Sequence, residues 1–387
     1  MAESGANRVL VADGDNGSAQ REGLPAMPLL DNPNNQAGGF IERTQRFFAP
    51  VAGWGFISWC FAATCVNGNI APVFLVICVK PLFPGFYERF LSTASCFGWG
   101  SIAAFAQLQG RLRPRFTGSA DARSLELLRS GNAMLISNHV DATDGLALFV
   151  LAQRCGRLGS LRFFAKRELL FTPVLGLAAY FLNFIFLSRD WNKDRDTITR
   201  TFQGLWTAQK KPSFWMVLFP EGTRFSEIKL KEAQQFCLAR SLPLLEHLRS
   251  RTDLLIDVTI GYSEHDPVSR KVRPSLGDVL LRRGREWPVH VDVRVFPIDQ
   301  LPEGEAELKE WMLQLFRDKD ARLEELKLSG RFPGEEMLSG PSVSVREALQ
   351  GALCYSLPAI PVLLLLYLAK TPCLSALPGM GLLRLLR

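Results

Sequence analysis

No CxxC pair occurs in this chain, although it carries eight cysteines: Cys60, Cys65, Cys78, Cys96, Cys155, Cys237, Cys354 and Cys373. That spacing, with most of the cysteines in apolar stretches, argues against a disulfide framework and a structural zinc site and suits a reducing, cytosol-facing environment. Histidine is scarce as well, with four in 387 residues. Nothing resembles a cleavable signal peptide, and there is no internal repeat. Charge of one sign is not in strong excess: 45 basic against 38 acidic residues gives +7, and the basic ones are scattered. Such a balance suits an anionic surface or substrate and makes no case for nucleic acid. With 47% hydrophobic and 21% charged residues, wholesale disorder is excluded.

A second absence is more informative. From Phe47 to Val79 there is no charged residue in 33 positions, more than the ~20 residues that cross a bilayer. Asn67-Gly68-Asn69 interrupts this run, so either one helix spans with a polar shoulder or two short arms form a re-entrant hairpin. For a single span, the arginines and Lys80 beyond it put the bulk of the chain in the cytosol. A second uncharged stretch, Ala352–Ala369, is closed by Lys370, and its Pro358 and Pro361 suit a membrane helix better than a soluble one. Val174–Leu187 is apolar but too short to span, which assigns it to an interface or a core. Residues 1–46 show no helical or strand period and read as a flexible tail.

The middle of the chain reads as mixed α/β. Ala133–Ser137, Phe214–Leu218 and Leu254–Ile260 are short apolar runs of the kind buried strands show. Helical patterns lie at Asp144–Arg154, Asp194–Gln209 and Ser226–Arg240. Val289–Phe296 alternates, with four valines on one face, and reads as a half-buried or edge strand. Pro302–Leu328 is a charged amphipathic helix expected to pack outside the sheet. The resulting divisions are a tail (1–46), N-terminal membrane segments with an amphipathic linker (47–107), a catalytic-sized domain (108–335) and C-terminal membrane segments (336–387).

Three blocks in that domain could carry chemistry. His139 stands in Ser137-Asn138-His139-Val140-Asp141-Ala142-Thr143-Asp144, directly after an apolar strand and before a helix. If the helix begins near Asp141, Asp144 turns back toward the imidazole, fixing its tautomer and stabilising the imidazolium. A loop histidine capped by a neighbour fits the spacing equally well. The other three histidines read as surface residues. Phe219-Pro220-Glu221-Gly222-Thr223-Arg224 again follows a strand. Gly222 admits close backbone approach, Arg224 offers a planar fork for phosphate, and Glu221 can accept from a hydroxyl; a simple Pro-Glu-Gly turn is the plain alternative. Arg189, in Phe186-Leu187-Ser188-Arg189-Asp190-Trp191-Asn192-Lys193-Asp194, emerges where apolar surface meets water, and Lys166 has a similar setting.

Taken together, SNHVDATD, FLSRDWNKD and FPEGTR resemble the glycerolipid acyltransferase superfamily, above all its 1-acylglycerol-3-phosphate acyltransferase branch. The likeness runs from about Gly131 to Asp266 and more weakly over Val289–Asp320. It implies an α/β domain with a mixed, mainly parallel sheet flanked by helices, held to the membrane by N- and C-terminal segments. It further implies His139 as catalytic base oriented by Asp144, and acceptor binding by Glu221, Gly222, Thr223 and Arg224. Arg189 would meet the acceptor phosphate, and Lys166 occupies a family lysine position. The partners implied are acyl-CoA, a lysophospholipid and membrane lipid; no cofactor and no metal is required, because an alcohol attacks a thioester directly. The endoplasmic reticulum membrane is the expected location, with the domain on the cytosolic side.

The chain departs from the family pattern in two places. Gly145 stands where relatives carry a bulky residue, and residues 242–252 connect a helix to the next strand without the usual longer segment. The alternatives are therefore an acyltransferase for another lysophospholipid, such as lysophosphatidylinositol or a lysocardiolipin, or a membrane scaffold without turnover. A metal-dependent hydrolase using His139, Asp141 and Asp144 is a third.

Overall fold

The computed structural model describes residues 33–119, 121–188, 213–220, 252–262, 273–282, 286–338 and 345–356, with Asp194, Ile198, Arg200 and Arg249 singly. Met1–Thr44 and Gln45–Arg387 form two compact units. Apart from Asp194, Ile198 and Arg200, the expected helix at Asp194–Gln209 lies outside the described residues, as do that at Ser226–Arg240, the residues from 357 onward, and the block from Glu221 to Arg224 with Arg189.

Helix α1 runs from Pro33 to Thr64, so helix begins well inside the stretch that showed no period. Adding a residue to an existing helix costs far less than starting one, so a helix established in the apolar run can extend backward into this stretch. At Asn67-Gly68-Asn69 the chain neither reverses nor stops. Cys65–Ile70 widens into a π-helical turn and passes directly into α2, Ala71–Cys78. A π-turn detaches backbone groups from the usual ladder, and Asn69 Nδ2 covers one by donating to Thr64 O at 2.9 Å. The reversal comes later, over Val79–Phe83, where α3 (Pro84–Leu108) starts back with its proline in the first turn. Stacked Phe56 and Phe105, 3.9 Å between centroids, tie α1 to α3. Glu42–Cys78 is long and apolar enough to cross a membrane. The last described helix, α9 (Val345–Ser356), packs on α3 and receives the Trp59 Nε1 hydrogen bond at Ser356 Oγ, 2.9 Å.

Beyond α3 the chain builds one sheet. Its strands are β1 Leu112–Ser119, β2 Ala133–Ser137, β3 Leu161–Lys166, β4 Ile185–Leu187, β5 Trp215–Leu218, β6 Leu254–Gly261, β7 Trp287–Pro297 and β8 Glu335–Glu336. Their order is β4-β3-β5-β2-β6-β7-β1-β8. All pairs are parallel except β6 with β7 and β1 with β8, so the sheet is mixed and mainly parallel, as expected. Helices α4 (Ala122–Ser130), α5 (Asp144–Arg154), α6 (Leu175–Phe181), α7 (Leu276–Leu281) and α8 (Glu305–Ser329) complete the described domain. β2 is buried along its whole length between β5 and β6, which accounts for its unbroken apolar sequence.

β7 corrects the expectation of a half-buried or edge strand. It lies between β6 and β1 and is buried on both faces. Its valines enter the core on the α5 side, while His290, Asp292 and Arg294 point under α8. His290 is thus buried and not at the surface. This polar face forms a charge network. Arg294 donates to Asp257 at 3.0 and 2.6 Å and to Asp318 at 3.0 Å. Lys319 Nζ lies 2.7 Å from Asp257 Oδ1 and donates to the carbonyls of Ile136 and Val258. Arg322 contacts both oxygens of Asp292 at 2.9 Å. Buried charges persist when paired and hydrogen-bonded in this way. Lys319 in particular clamps β2 to β6 directly beneath the loop that carries His139.

Candidate active site

Because β2, β3, β4, β5 and β6 all run parallel, their carboxyl ends meet at one edge of the sheet. In open α/β sheets this is where ligands bind. Asn138 follows β2 there, and its side chain continues the sheet in place of a backbone pair. Asn138 Oδ1 accepts from Ile260 N at 2.7 Å and its Nδ2 donates to Ile260 O at 2.8 Å. The next residue, His139, is thereby fixed against β6.

α5 starts with Asp144 in its first turn, where the helix end favours negative charge. The carboxylate is fully buried and surrounded by donors. Its Oδ2 accepts from Val140 N at 2.6 Å and Asp141 N at 2.8 Å, and lies 3.0 Å from His139 Nδ1. Its Oδ1 accepts from the Tyr262 hydroxyl at 2.8 Å. Burial, reinforced by the Asp144 charge, raises the Tyr262 phenol well above its usual pKa, so it stays a donor. An ionised carboxylate accepts only, so Nδ1 carries the ring hydrogen and Nε2 is left as the basic nitrogen. The His139 side chain is 27% exposed against 0% for Asp144. Phe219, just past β5, tilts its ring over the imidazole at 4.6 Å. Thr143, also buried, shares its hydroxyl with that of Tyr262 at 3.0 Å. The arrangement holds an imidazole in one tautomer and one orientation at the open edge of a sheet, which is the geometry that general-base chemistry requires.

Asp141 turns aside, with Oδ1 accepting from Ala142 N at 2.6 Å and Oδ2 3.5 Å from Arg273. Among the described residues no group of three histidine, cysteine or acidic side chains could hold a metal ion. Beside the pair, a Cβ on Gly145 would meet nothing within 4 Å. Space therefore remains where relatives were expected to carry a bulky side chain.

Of the residues singled out in the sequence, His139 and Asp144 are brought together. Lys166 ends β3, exposed at the same edge, and pairs with Leu187, the last residue of β4. Two strand spacings separate β3 from β2, roughly 10 Å. The chain leaves β4 at Leu187 and β5 at Leu218 on this edge; Arg189 and Glu221, Gly222, Thr223 and Arg224 beyond them lie outside the described residues. Sequence reasoning missed Tyr262, Asn138 and the packing role of Phe219. The signal for Tyr262 was available: a tyrosine directly after an apolar strand parallel to the one that presents the histidine.

Comparison with known proteins identifies the family. The Acyltransferase family model matches residues 115–247, and an Acyltransferase C-terminus model matches 279–349. The domain is thus an acyltransferase domain. A 1-acyl-sn-glycerol-3-phosphate acyltransferase gamma of Pongo abelii is 29% identical over 76% of this chain and 77% of its own length. The 1-acyl-sn-glycerol-3-phosphate acyltransferase 2 of Arabidopsis thaliana is 30% identical over 77% and 79%. Acyltransferase 3 of the same name and organism is 31% identical over 66% and 69%. The chain belongs to the 1-acyl-sn-glycerol-3-phosphate acyltransferase family.

Proposed function

We propose that this protein transfers an acyl group from acyl-CoA to the free hydroxyl of a lysophospholipid, with 1-acylglycerol-3-phosphate as acceptor and phosphatidic acid as product. The observation that carries the reading is the 3.0 Å contact between His139 Nδ1 and the buried Asp144 carboxylate. His139 Nε2 takes the hydroxyl proton as the acceptor oxygen bonds to the thioester carbonyl carbon. Asp144 stabilises the imidazolium that results, and Tyr262 and two backbone N–H groups keep Asp144 in place. The tetrahedral intermediate collapses by breaking the C–S bond, and the departing CoA thiolate recovers the proton from His139. Arg189 and Arg224 would hold the acceptor phosphate, with Glu221, Gly222, Thr223 and Lys166 completing the subsite, and so fix a near-attack geometry.

The names of the relatives favour the glycerol-3-phosphate head group over lysophosphatidylinositol or a lysocardiolipin. The fully satisfied His139–Asp144 pair favours turnover over a silent scaffold, and the turned-aside Asp141 disfavours metal-dependent hydrolysis. The site belongs at the endoplasmic reticulum membrane, on its cytosolic side, which suits the six free cysteines among the described residues. The decisive assay measures transfer of the labelled oleoyl group from oleoyl-CoA to lysophosphatidic acid in membranes, with His139→Ala alongside. General-base loss lowers the rate roughly 100- to 10,000-fold. Equal rates in the two proteins remove His139 from the reaction, and transfer only to other lysophospholipids in a panel moves the head group.

A further inference from the structure

We infer that Arg167–Phe181, the turn and helix that follow β3, is a membrane-docking segment lying against the phospholipid bilayer beside the active-site edge. This rests on the lipid-acceptor reading for its purpose, but its geometry is independent of the chemistry. From Leu169 to Leu187 there is no charged residue, and the chain turns this stretch inside out. Helix α6 puts its small residues, Gly176 and Ala178, inward. A Cβ on Gly68 of the π-turn would approach the Ala178 Cβ to 2.7 Å, so the two elements touch nearly backbone to backbone. The large side chains Leu175, Leu177 and Tyr180 face outward with Leu169 and Phe171, the last 76% exposed. A helix at a water-facing surface has the reverse pattern. Soluble surfaces seldom carry so much contiguous apolar area unless something covers it.

What covers it is set by where the segment sits. α6 rests on the π-turn of the one described helix long and apolar enough to cross a membrane. Below it, Phe181 and Leu182 pack with Leu75, Tyr87 and Leu91, joining the segment to the tip of the α2–α3 hairpin. That tip also exposes Ile77, Leu82 and Phe83. Where the segment leaves the sheet, Lys166 and Arg167 outnumber the neighbouring Glu168, and a basic excess of this kind suits an anionic lipid surface. The backbone is held there against its preference. Val174, a β-branched residue, has φ of 67°, and Asn69 Nδ2 from the π-turn donates to its carbonyl at 3.1 Å. Such strain persists only where surrounding contacts impose it. A bilayer lying against this segment would stand beside the carboxyl edge of β3, where an acceptor lipid would enter.

The test places a photoreactive benzophenone amino acid singly at Phe171, Leu175, Phe74 or Leu328 of the full chain, in vesicles of phosphatidylcholine and phosphatidylserine containing radiolabelled lipid. Phe74 lies in the apolar helix, and Leu328 is 88% exposed near the end of α8. The expected result is lipid adduct at Phe171 and Leu175 comparable with Phe74, and none above background at Leu328. Adduct at Phe74 alone overturns the inference and leaves the membrane helix standing. Loss at all three sites overturns both. Crosslinks from Phe171 to a second copy of the chain, or equal labelling at Leu328, also overturn it.

Discussion

Replacing Tyr262 by phenylalanine removes one oxygen and almost nothing else, which makes it the sharpest probe of the site. The hydroxyl donates to Asp144 Oδ1 at 2.8 Å and meets Thr143 Oγ1 at 3.0 Å. Asp144 is wholly buried, so no solvent replaces the lost donor at Oδ1. A hydrogen bond to a charged group contributes about 1.5–3 kcal/mol, and a buried acceptor left without a partner forfeits a similar amount. Stability should therefore drop by about 2–3 kcal/mol, read as a fall in the thermal midpoint of the detergent-solubilised protein. Whatever share holds Asp144 against the His139 imidazolium appears in kcat, tenfold for each ~1.4 kcal/mol. The rate should decline by about 10- to 100-fold, with KM for the acceptor unchanged, because Tyr262 contacts the carboxylate and not the open side of the ring. A Tyr262→Phe protein with wild-type midpoint and kcat would refute the view that this tyrosine orients the pair.

Three further outcomes follow from the same geometry. Asn138→Asp keeps the shape but sets an oxygen against the Ile260 carbonyl; a loss of about 2 kcal/mol or more is expected, and an unchanged thermal midpoint would contradict the bridging role. Lys319→Met leaves the buried Asp257 short of a partner and frees the clamp on Ile136 and Val258. That should cost roughly 3–5 kcal/mol, checked by thermal denaturation beside the exposed control Lys327→Met. Burial pushes Asp292 up to about 6 despite Arg322 and Arg294, from an ordinary 3.8. The folded state then binds the proton more tightly than the unfolded chain. This group's contribution to stability is accordingly present at low pH and lost as pH rises from about 4 through 6, on the order of 3 kcal/mol. A pH series of thermal midpoints should show that decline in wild type and a flatter curve in Asp292→Asn; parallel curves would count against it.

Much of the central architecture was legible because its signals are local. β2, α5 and β6 coincide with the expected segments, since strands buried on both faces read as apolar runs and α5 begins at its acidic first turn. β1 was not legible: Leu112–Ser119 carries Arg113, Pro114 and Arg115, so no apolar run marks it. The alternation of β7 made it look half-buried or at an edge, and with β1 unseen nothing in the sequence showed a neighbour on its far side. The polar face of β7 looked solvated because the sequence could not show that α8 would lay Lys319 and Arg322 over it. The Asn-Gly-Asn interruption left a single helix and a re-entrant hairpin both open; side-chain donors from Asn69 and seating against α6 let it persist as a wider helical turn.

The spacing of His139 and Asp144 allowed their pairing, because six residues between strand and helix leave the carboxylate few directions to face, but a capped loop histidine fitted it equally well and the folded chain decided between them. Tertiary structure alone decided the rest of the site. Tyr262 reaches Asp144 across 118 residues of chain, and Asn138 reaches Ile260 across 122. Both contacts exist only because parallel strands distant in sequence end at one edge. Contacts within a turn are written in residue spacing; contacts between strands depend on their order in the sheet, which only the folded chain sets.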